Sequence, residues 1–302
     1  MNDTRSFEQY RPHLLGIAYR MLGEMAAAED VVQETWIKWQ GVTDIRDPYA
    51  WLSTVTVRLS LDALRAVRAR REAYVGPWLP EPIVPDDMRA IETPDARAEL
   101  ASDLSMALLH VLERLSPEER AAFILHDAFD CEYDDIAAIL GKSETACRKL
   151  VSRARERVKS DRPRHVVSKE QHNEMLGRFM LAIASNDPAQ LAVILAPDVI
   201  FYSDGGGVRP AALLPIYGPE KVNRLIFGLM GKSDVFTAPE YTFTEINGRP
   251  GFLIMGDGEI QTVITTETDG EKITAIYAVR NPEKLGRLAR VFSPAPGSSA
   301  SA

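Results

Sequence analysis

Apolar residues recur every three or four positions through roughly the first 160 residues, and every second position after about residue 195. A chain whose hydrophobic period changes in this way cannot be one uniform layer. Its first part must pack helix on helix, and its last part must bury a sheet face. Phe7, Tyr10, Leu14, Ile17, Ala18, Met21 and Leu22 give a first helical stripe, and Ala28, Val31, Val32, Thr35 and Trp36 a second. Asp47-Pro48 opens a third helix, because Asp caps well and Pro is tolerated in a first turn. A second helical block is expected from about residue 98 to 160, with Ser116 and Glu119 forming a capping box and Pro117 at the first helical position.

After Arg164 two more helices are expected, split at Asn186-Asp187-Pro188. The strand runs "VIFYSD", "EYTFTEI", "GFLIMG", "EIQTVITTET" and "KITAIYAV" follow. Asn247-Gly248 and Asp269-Gly270 are the clearest turn pairs. Ile273, Ala275, Tyr277 and Val279 alternate with polar or small residues, which predicts one buried face. The reading for this part is α+β with a curved antiparallel sheet.

Five of the 19 prolines fall between residues 76 and 97, which excludes a regular helix or central strand there and predicts an extended acidic linker. The last residues, "SPAPGSSASA", read as a disordered tail. The 302 residues suffice for two or three domains, and 45% hydrophobic with 26% charged is an ordinary globular balance. No apolar run approaches the ~20 residues of a bilayer span, and "MNDTRSFEQYRPHLL" lacks signal-peptide features. Two cysteines are too few for a disulfide framework, so a cytoplasmic protein is expected. Cys131 and Cys147, with His126 nearby, read as small buried residues, and no metal or cofactor is expected.

Charge is unevenly spread. The net is −11 over residues 1–141, +6 over 142–164 and −3 thereafter. The positive segment coincides with a helix-turn-helix spacing. Tyr133, Ile136, Ala137 and Leu140 form the inner face of a short helix, Gly141 supplies a left-handed turn, and Ser143 caps the next helix. There Cys147, Leu150, Val151, Ala154 and Val158 make an apolar stripe. Arg148, Lys149, Ser152, Arg153, Arg155 and Arg157 fall largely outside it, as a major-groove helix requires. Arg148 and Lys149 are expected nearest the bases, and Arg153, Arg155 and Arg157 on phosphates. Arg58, Arg65, Arg68, Arg70 and Arg71 outnumber the one acid Asp62, which favours a second phosphate-facing surface. Trp36, Trp39, Tyr49 and Trp51 are either core or platforms for unpaired bases.

The segments "AEDVVQETWIKW", "DPYAWLSTVTVRLSLDALR", "LSPEERAAFILHDAFDCEYDDIAAILG" and "SETACRKLVSRARERV", in this order, resemble the two conserved regions of extracytoplasmic-function sigma factors. The resemblance implies a non-enzymatic specificity subunit of bacterial RNA polymerase core. Residues 1–75 would form region 2 on the −10 element, 76–97 a linker, and 98–165 region 4 on the −35 element. Residues 168–290 would form a SnoaL-like domain, with a tail over 291–302. It further implies that Asp30, Gln33 and Glu34 dock on the clamp helices of the β′ subunit, with the β flap as a second polymerase contact, and that no membrane is involved.

Three segments, "WLPEP" (Trp78, Leu79, Pro80, Glu81, Pro82), "DGGG" (Asp204, Gly205, Gly206, Gly207) and "NPEKL" (Asn281, Pro282, Glu283, Lys284, Leu285), look like the signatures of the subgroup with a fused SnoaL-like domain. In that subgroup the extra domain regulates in cis. Val208 stands where the subgroup usually has Lys. Trp78 is expected as the regulatory anchor, Asp204 as a turn cap, and the glycines as a turn or bulge. Two alternatives remain open. One is a ligand-sensing helix-turn-helix regulator independent of core polymerase. The other is a cyclase- or isomerase-like fusion using Asp204, with His172 as candidate second group.

Overall fold

The computed structural model describes residues 7–43, 45–72, 74–85, 104–161, 167–230 and 239–292, with no side-chain detail for 67–72, Asp161 or Met230. The chain divides into two compact units, Met1–Tyr74 with Ile91–Arg162, and Val75–Ala90 with Pro163–Ala302.

The first unit is helical. Its N-terminal block comprises α1 (Arg11–Leu22), α2 (Met25–Gln40) and α3 (Pro48–Glu72), and its second block α4 (Met106–Leu112), α5 (Pro117–Phe123), α6 (Tyr133–Leu140) and α7 (Glu144–Asp161). α1 stops at Gly23, whose φ of 70° ends the helix in the left-handed region. Asp47 Oδ1 accepts from the Ala50 amide at 3.0 Å and caps α3. The capping box at α5 forms as the spacing indicates, with Pro117 in the first turn. α5 continues into one π turn, Ile124–Ala128. Leu14, Ile17, Ala18 and Met21 of α1 are fully buried against α2 and α3.

The two blocks of this unit are joined by polar contacts. The buried Arg120 of α5 donates from Nε to Arg20 O at 2.8 Å, and its Nη1 pairs with Glu113. On α6 the buried pair is Ile136 and Ile139, with Tyr133, Ala137 and Leu140 only half-buried. This corrects the expected inner face: in an eight-residue helix, residue 139 completes the i, i+3 pair and residue 140 falls to its border.

The second unit contains α8 (Lys169–Ala184), α9 (Pro188–Ile194), α10 (Pro219–Met230), α11 (Pro282–Phe292) and six strands. The strands are β1 (Leu195–Asp204), β2 (Ile216–Tyr217), β3 (Glu240–Ile246), β4 (Arg249–Gly256), β5 (Glu259–Thr268) and β6 (Ile273–Val279). Their order is β2-β1-β6-β5-β4-β3. The expected all-antiparallel sheet is corrected to a mixed one, since β1 and β6 pair in parallel. Residues 205–272 lie between these two strands, so no tight turn forces them to run oppositely. Asn247-Gly248 and Asp257-Gly258, all at positive φ, join β3 to β4 and β4 to β5 in two-residue hairpins.

Phe179, Val199, Phe252, Ile276 and Ala278 belong to the main core. Tyr277 and Val279 face the other way and are also buried, so both faces of β6 are covered rather than one. Register shifts in β1, β5 and between β4 and β5 mark bulges that bend the sheet.

Residues 77–85 have no regular structure beyond a terminal 3₁₀ residue, as their prolines require, yet Leu79 to Val84 are buried in this unit. The expected linker is, over these residues, a strap packed on the α+β fold. Its remaining part, 86–97, lies outside the described residues. The expected tail over 291–302 is corrected at its start, since Val291 and Phe292 end α11, and 293–302 lie outside the described residues.

Candidate functional site

Two constellations carry the candidate chemistry, one in each unit. In the helical unit the turn before α7 forms as its residues dictate. Gly141 takes φ 63°, and Ser143 Oγ accepts from the Ala146 amide at 3.3 Å. Cys147, Leu150, Val151, Ala154 and Val158 bury one side of α7 completely or nearly so. Arg148, Lys149, Ser152, Arg153, Arg155 and Arg157 are exposed on its other sides.

The arginines are held by acids of the same unit. Arg148 bonds Glu144 at 2.5 Å, and its guanidinium lies 4.2 Å from the Tyr133 ring centre. Arg155 forks onto Asp127 at 2.7 to 3.0 Å. Arg153 and Arg157 share Glu119 at 3.3 and 3.2 Å. Arg148 and Glu144 are both more than half exposed, and a pair of that kind contributes only about 0–1 kcal/mol, so phosphate can replace Glu144 without a large cost. Glu119, which is buried, and Asp127 hold the other three arginines from less exposed positions. Lys149 makes no ion pair among the described residues.

The α3 arginines are placed differently. Arg58 donates to Ile139 O and Ala138 O, both at 3.1 Å, and so caps the end of α6. Arg65 bonds Glu118 at 2.6 Å and holds that carboxyl below the usual range. Their guanidinium groups therefore face α5 and α6 rather than an open basic surface. The side chains of Arg68, Arg70 and Arg71 lie outside those described.

Trp39 is buried with its ring 5.8 Å from Trp51, and Trp36 packs 4.9 Å from Phe7. Trp39 is thus core and not a base platform in this structure. Tyr49 is exposed, with its hydroxyl 3.2 Å from His13 Nδ1. Asp30, Gln33 and Glu34 are exposed on α2, one helical step from Ile37, which is 59% exposed. Periodicity alone does not single out Ile37 as part of that face. Its only signal is that it falls outside the stripe through Ala28, Val31, Val32 and Thr35.

In the second unit the three short signatures converge. Asp204, at the end of β1, is fully buried. Its Oδ2 accepts from Lys284 Nζ at 2.6 Å and from the Leu79 amide at 2.9 Å, and its Oδ1 accepts from the Gly206 amide at 3.1 Å. Lys284 Nζ also donates to Leu79 O at 2.5 Å and lies 3.8 Å from the Trp78 ring centre. Asn281 caps α11 by accepting from the Glu283 amide at 3.0 Å, while Leu285 is buried.

A Cβ on Gly206 would come within 2.5 Å of the Asn281 side chain, and φ there is 66°. A Cβ on Gly205 would lie 2.1 Å from Arg209 O. The glycines serve close packing, not a phosphate cradle. Pro80, Glu81 and Pro82 are buried in the strap, whose far end is fixed where Ile83 exchanges hydrogen bonds with Asn247. Val208 is 71% exposed. Sequence reasoning found Asp204 as a turn cap but missed Lys284 as its partner, because 80 positions separate them.

His172 is buried, its Nε2 3.3 Å from Thr266 Oγ1, and burial with nearby Arg249 brings its pKa down to about 4. It forms no described contact with Asp204, and neither residue lines the cavity walled by Phe179, Phe201 and Phe252. Burial, with Asp135 and Asp130, pushes the Cys131 thiol up to about 11, which makes it a poor ligand or nucleophile near neutrality. Among the described residues no helix is long and apolar enough to cross a membrane.

Comparison with known proteins fits this geometry. Residues 6–71 match the Sigma-70 region 2 family and residues 105–158 the Sigma-70, region 4 family. The chain is 40% identical over 296 residues to "ECF RNA polymerase sigma factor SigJ" of Mycobacterium tuberculosis (strain ATCC 25618 / H37Rv), covering 94% of this chain and 93% of that one. "ECF RNA polymerase sigma factor SigG" of the same strain is 28% identical over 222 residues, covering 64% of this chain and 59% of that one. The crystal structure of the M. tuberculosis SigJ protein superposes with a TM-score of 0.75 at 37% identity, covering 94% of this chain and 99% of that chain.

Proposed function

Because the chain belongs to the extracytoplasmic-function (ECF) RNA polymerase sigma factors, we propose that its second unit governs sigma activity in cis through the strap at residues 77–85. The protein is a sigma factor, acting with RNA polymerase and promoter DNA. The finer assignment is as follows. Asp30, Gln33 and Glu34, together with Ile37, dock on the clamp helices, a polar surface with one apolar contact. Region 4 lies against the β flap and presents Arg148 and Lys149 to the −35 element, with Ser152, Arg153 and Arg155 toward phosphates. The work is done in the cytoplasm and without catalysis.

One observation carries the regulatory reading. The chain that leaves region 2 is built into the second unit by the buried Asp204–Lys284–Leu79 contacts before it returns as region 4. Whatever loosens that strap changes the tether between the two DNA-reading blocks. The contacts of Arg58, Arg65 and Arg120 that join those blocks support a restrained state. The −10 and −35 elements lie about 25 base pairs apart, roughly 85 Å along B-DNA, so these contacts open when both are held.

The test is transcription from a cognate promoter with purified core polymerase. Full-length protein is compared with a chain ending at residue 167 and with chains trimmed only beyond residue 292. Complete removal and partial trimming are expected to give different promoter output. Equal output from all forms refutes regulation in cis, and absence of any sigma-dependent transcript refutes the assignment of the polymerase contacts.

A further inference from the structure

The inner side of the sheet in the second unit holds a cavity of about 70 Å³. One water needs about 10–15 Å³ by this measure, so the space accepts a molecule of several heavy atoms. Most of its wall is apolar, with Phe179, Phe201 and Phe252 contributing aromatic rings. Besides Tyr241, three lining residues, Ser203, Thr262 and Arg280, carry polar groups, and no carboxylate lines the cavity among the described residues.

The strand register gathers those three. Thr262 and Arg280 lie one step beyond the Val263–Val279 pair, and Ser203 pairs with Ala278, two residues before Arg280 on the same face. The Thr262 hydroxyl is buried and has no hydrogen-bond partner among the described residues. A buried hydroxyl in that condition is satisfied when a ligand brings an acceptor. Arg280 is fixed by its Nη1 bond to Pro210 O. Burial and nearby Arg209 both lower the proton affinity of its guanidinium, and an anion placed beside it opposes both effects.

We propose that this cavity binds a small monocarboxylate with a branched aliphatic or aromatic body, its carboxylate held by Arg280, Thr262 and Ser203. The carboxylate supplies the acceptors that the polar group calls for, and the apolar body fills the Phe-lined remainder. The site is separate from the Asp204–Lys284 strap contact and goes beyond the sigma-factor reading.

The experiment titrates the full-length protein with 3-methylbutanoate and benzoate, and with the two corresponding primary amides, by calorimetry and thermal melting. The acids are expected to bind saturably at millimolar concentration or below and to raise the melting temperature. The uncharged amides should bind about tenfold or more weakly. Arg280→Gln should remove the preference for acid over amide. Thr262→Val, nearly isosteric, should weaken acid binding severalfold. Ala278→Leu, which fills the cavity, should abolish binding, and these last two variants keep the test decisive if Arg280→Gln does not fold. Lack of saturable binding of both acids to the folded protein overturns the proposal. So does equal binding of acid and amide, or binding that survives Ala278→Leu. The readout is binding alone, so failure here leaves the sigma-factor assignment intact.

Discussion

Lys284 and Asp204 are the residues on which the second unit's strap depends most directly. Removing the ammonium by Lys284→Met leaves a buried carboxylate with only amide donors, a change expected to cost about 3–5 kcal/mol. Urea denaturation of the full chain measures it, and adding Asp204→Asn should recover much of the loss, because the pair is then removed together. Half-buried His13 and buried His172 make a second prediction at this scale. Burial with nearby Arg20 brings His13 to about 4, as burial with Arg249 does His172. Both are depressed below their unfolded value, so their share of stability is full above about pH 6.5 and is lost as pH falls toward 4. Denaturation across that window should show the loss, and His172→Gln should reduce it by on the order of 1–3 kcal/mol. At single residues the sequence was legible where physics is local: Asp47, Ser116, Gly141 and Asn247 do what their neighbours require. It put Arg58 on a phosphate-facing surface and could not show that the guanidinium reaches carbonyls about 80 positions away.

Helix α7 is the element whose two sides were most legible in sequence, because its apolar stripe and its basic surface follow from one period. Its orientation supplies a prediction: Arg148→Ala and Lys149→Ala should each weaken promoter binding. Where the side chain removed had neutralised a phosphate, the salt dependence of binding should also fall by about one ion. Fluorescence anisotropy at several salt concentrations reads both effects, and circular dichroism should show helix content unchanged. The strap illustrates the opposite case. Its prolines said what it could not be, a helix or a central strand, and so it read as a linker. Its partners in β1, α11 and the β3–β4 turn make it part of a fold. Gly206→Ala should test the close approach of those elements, with a destabilisation of about 1–3 kcal/mol from the left-handed φ and the clash with Asn281. The parallel pairing of β1 with β6 was likewise unreadable, since alternation reveals which face is buried but not the direction of the neighbour.

For the molecule as a whole, the switch in hydrophobic period located the α+β unit, and the cationic segment located α7, the proposed DNA-reading helix. Neither showed that the residues following region 2 belong with the far end of the chain. That division leads to a molecular prediction: Trp78→Ala, which removes the ring lying against Lys284, should shift promoter output toward that of the chain ending at residue 167. In vitro transcription with core polymerase measures it. The sequence distance also orders events during synthesis. Region 4 ends its helix at Asp161, whereas Lys284 follows Leu79, which it holds, by 205 positions. On the ribosome both helical blocks are therefore synthesised well before α11 emerges, and the strap lacks its Lys284 contact until then. Under the proposed regulation in cis, a freshly made chain passes through an interval in which that control is not yet in place.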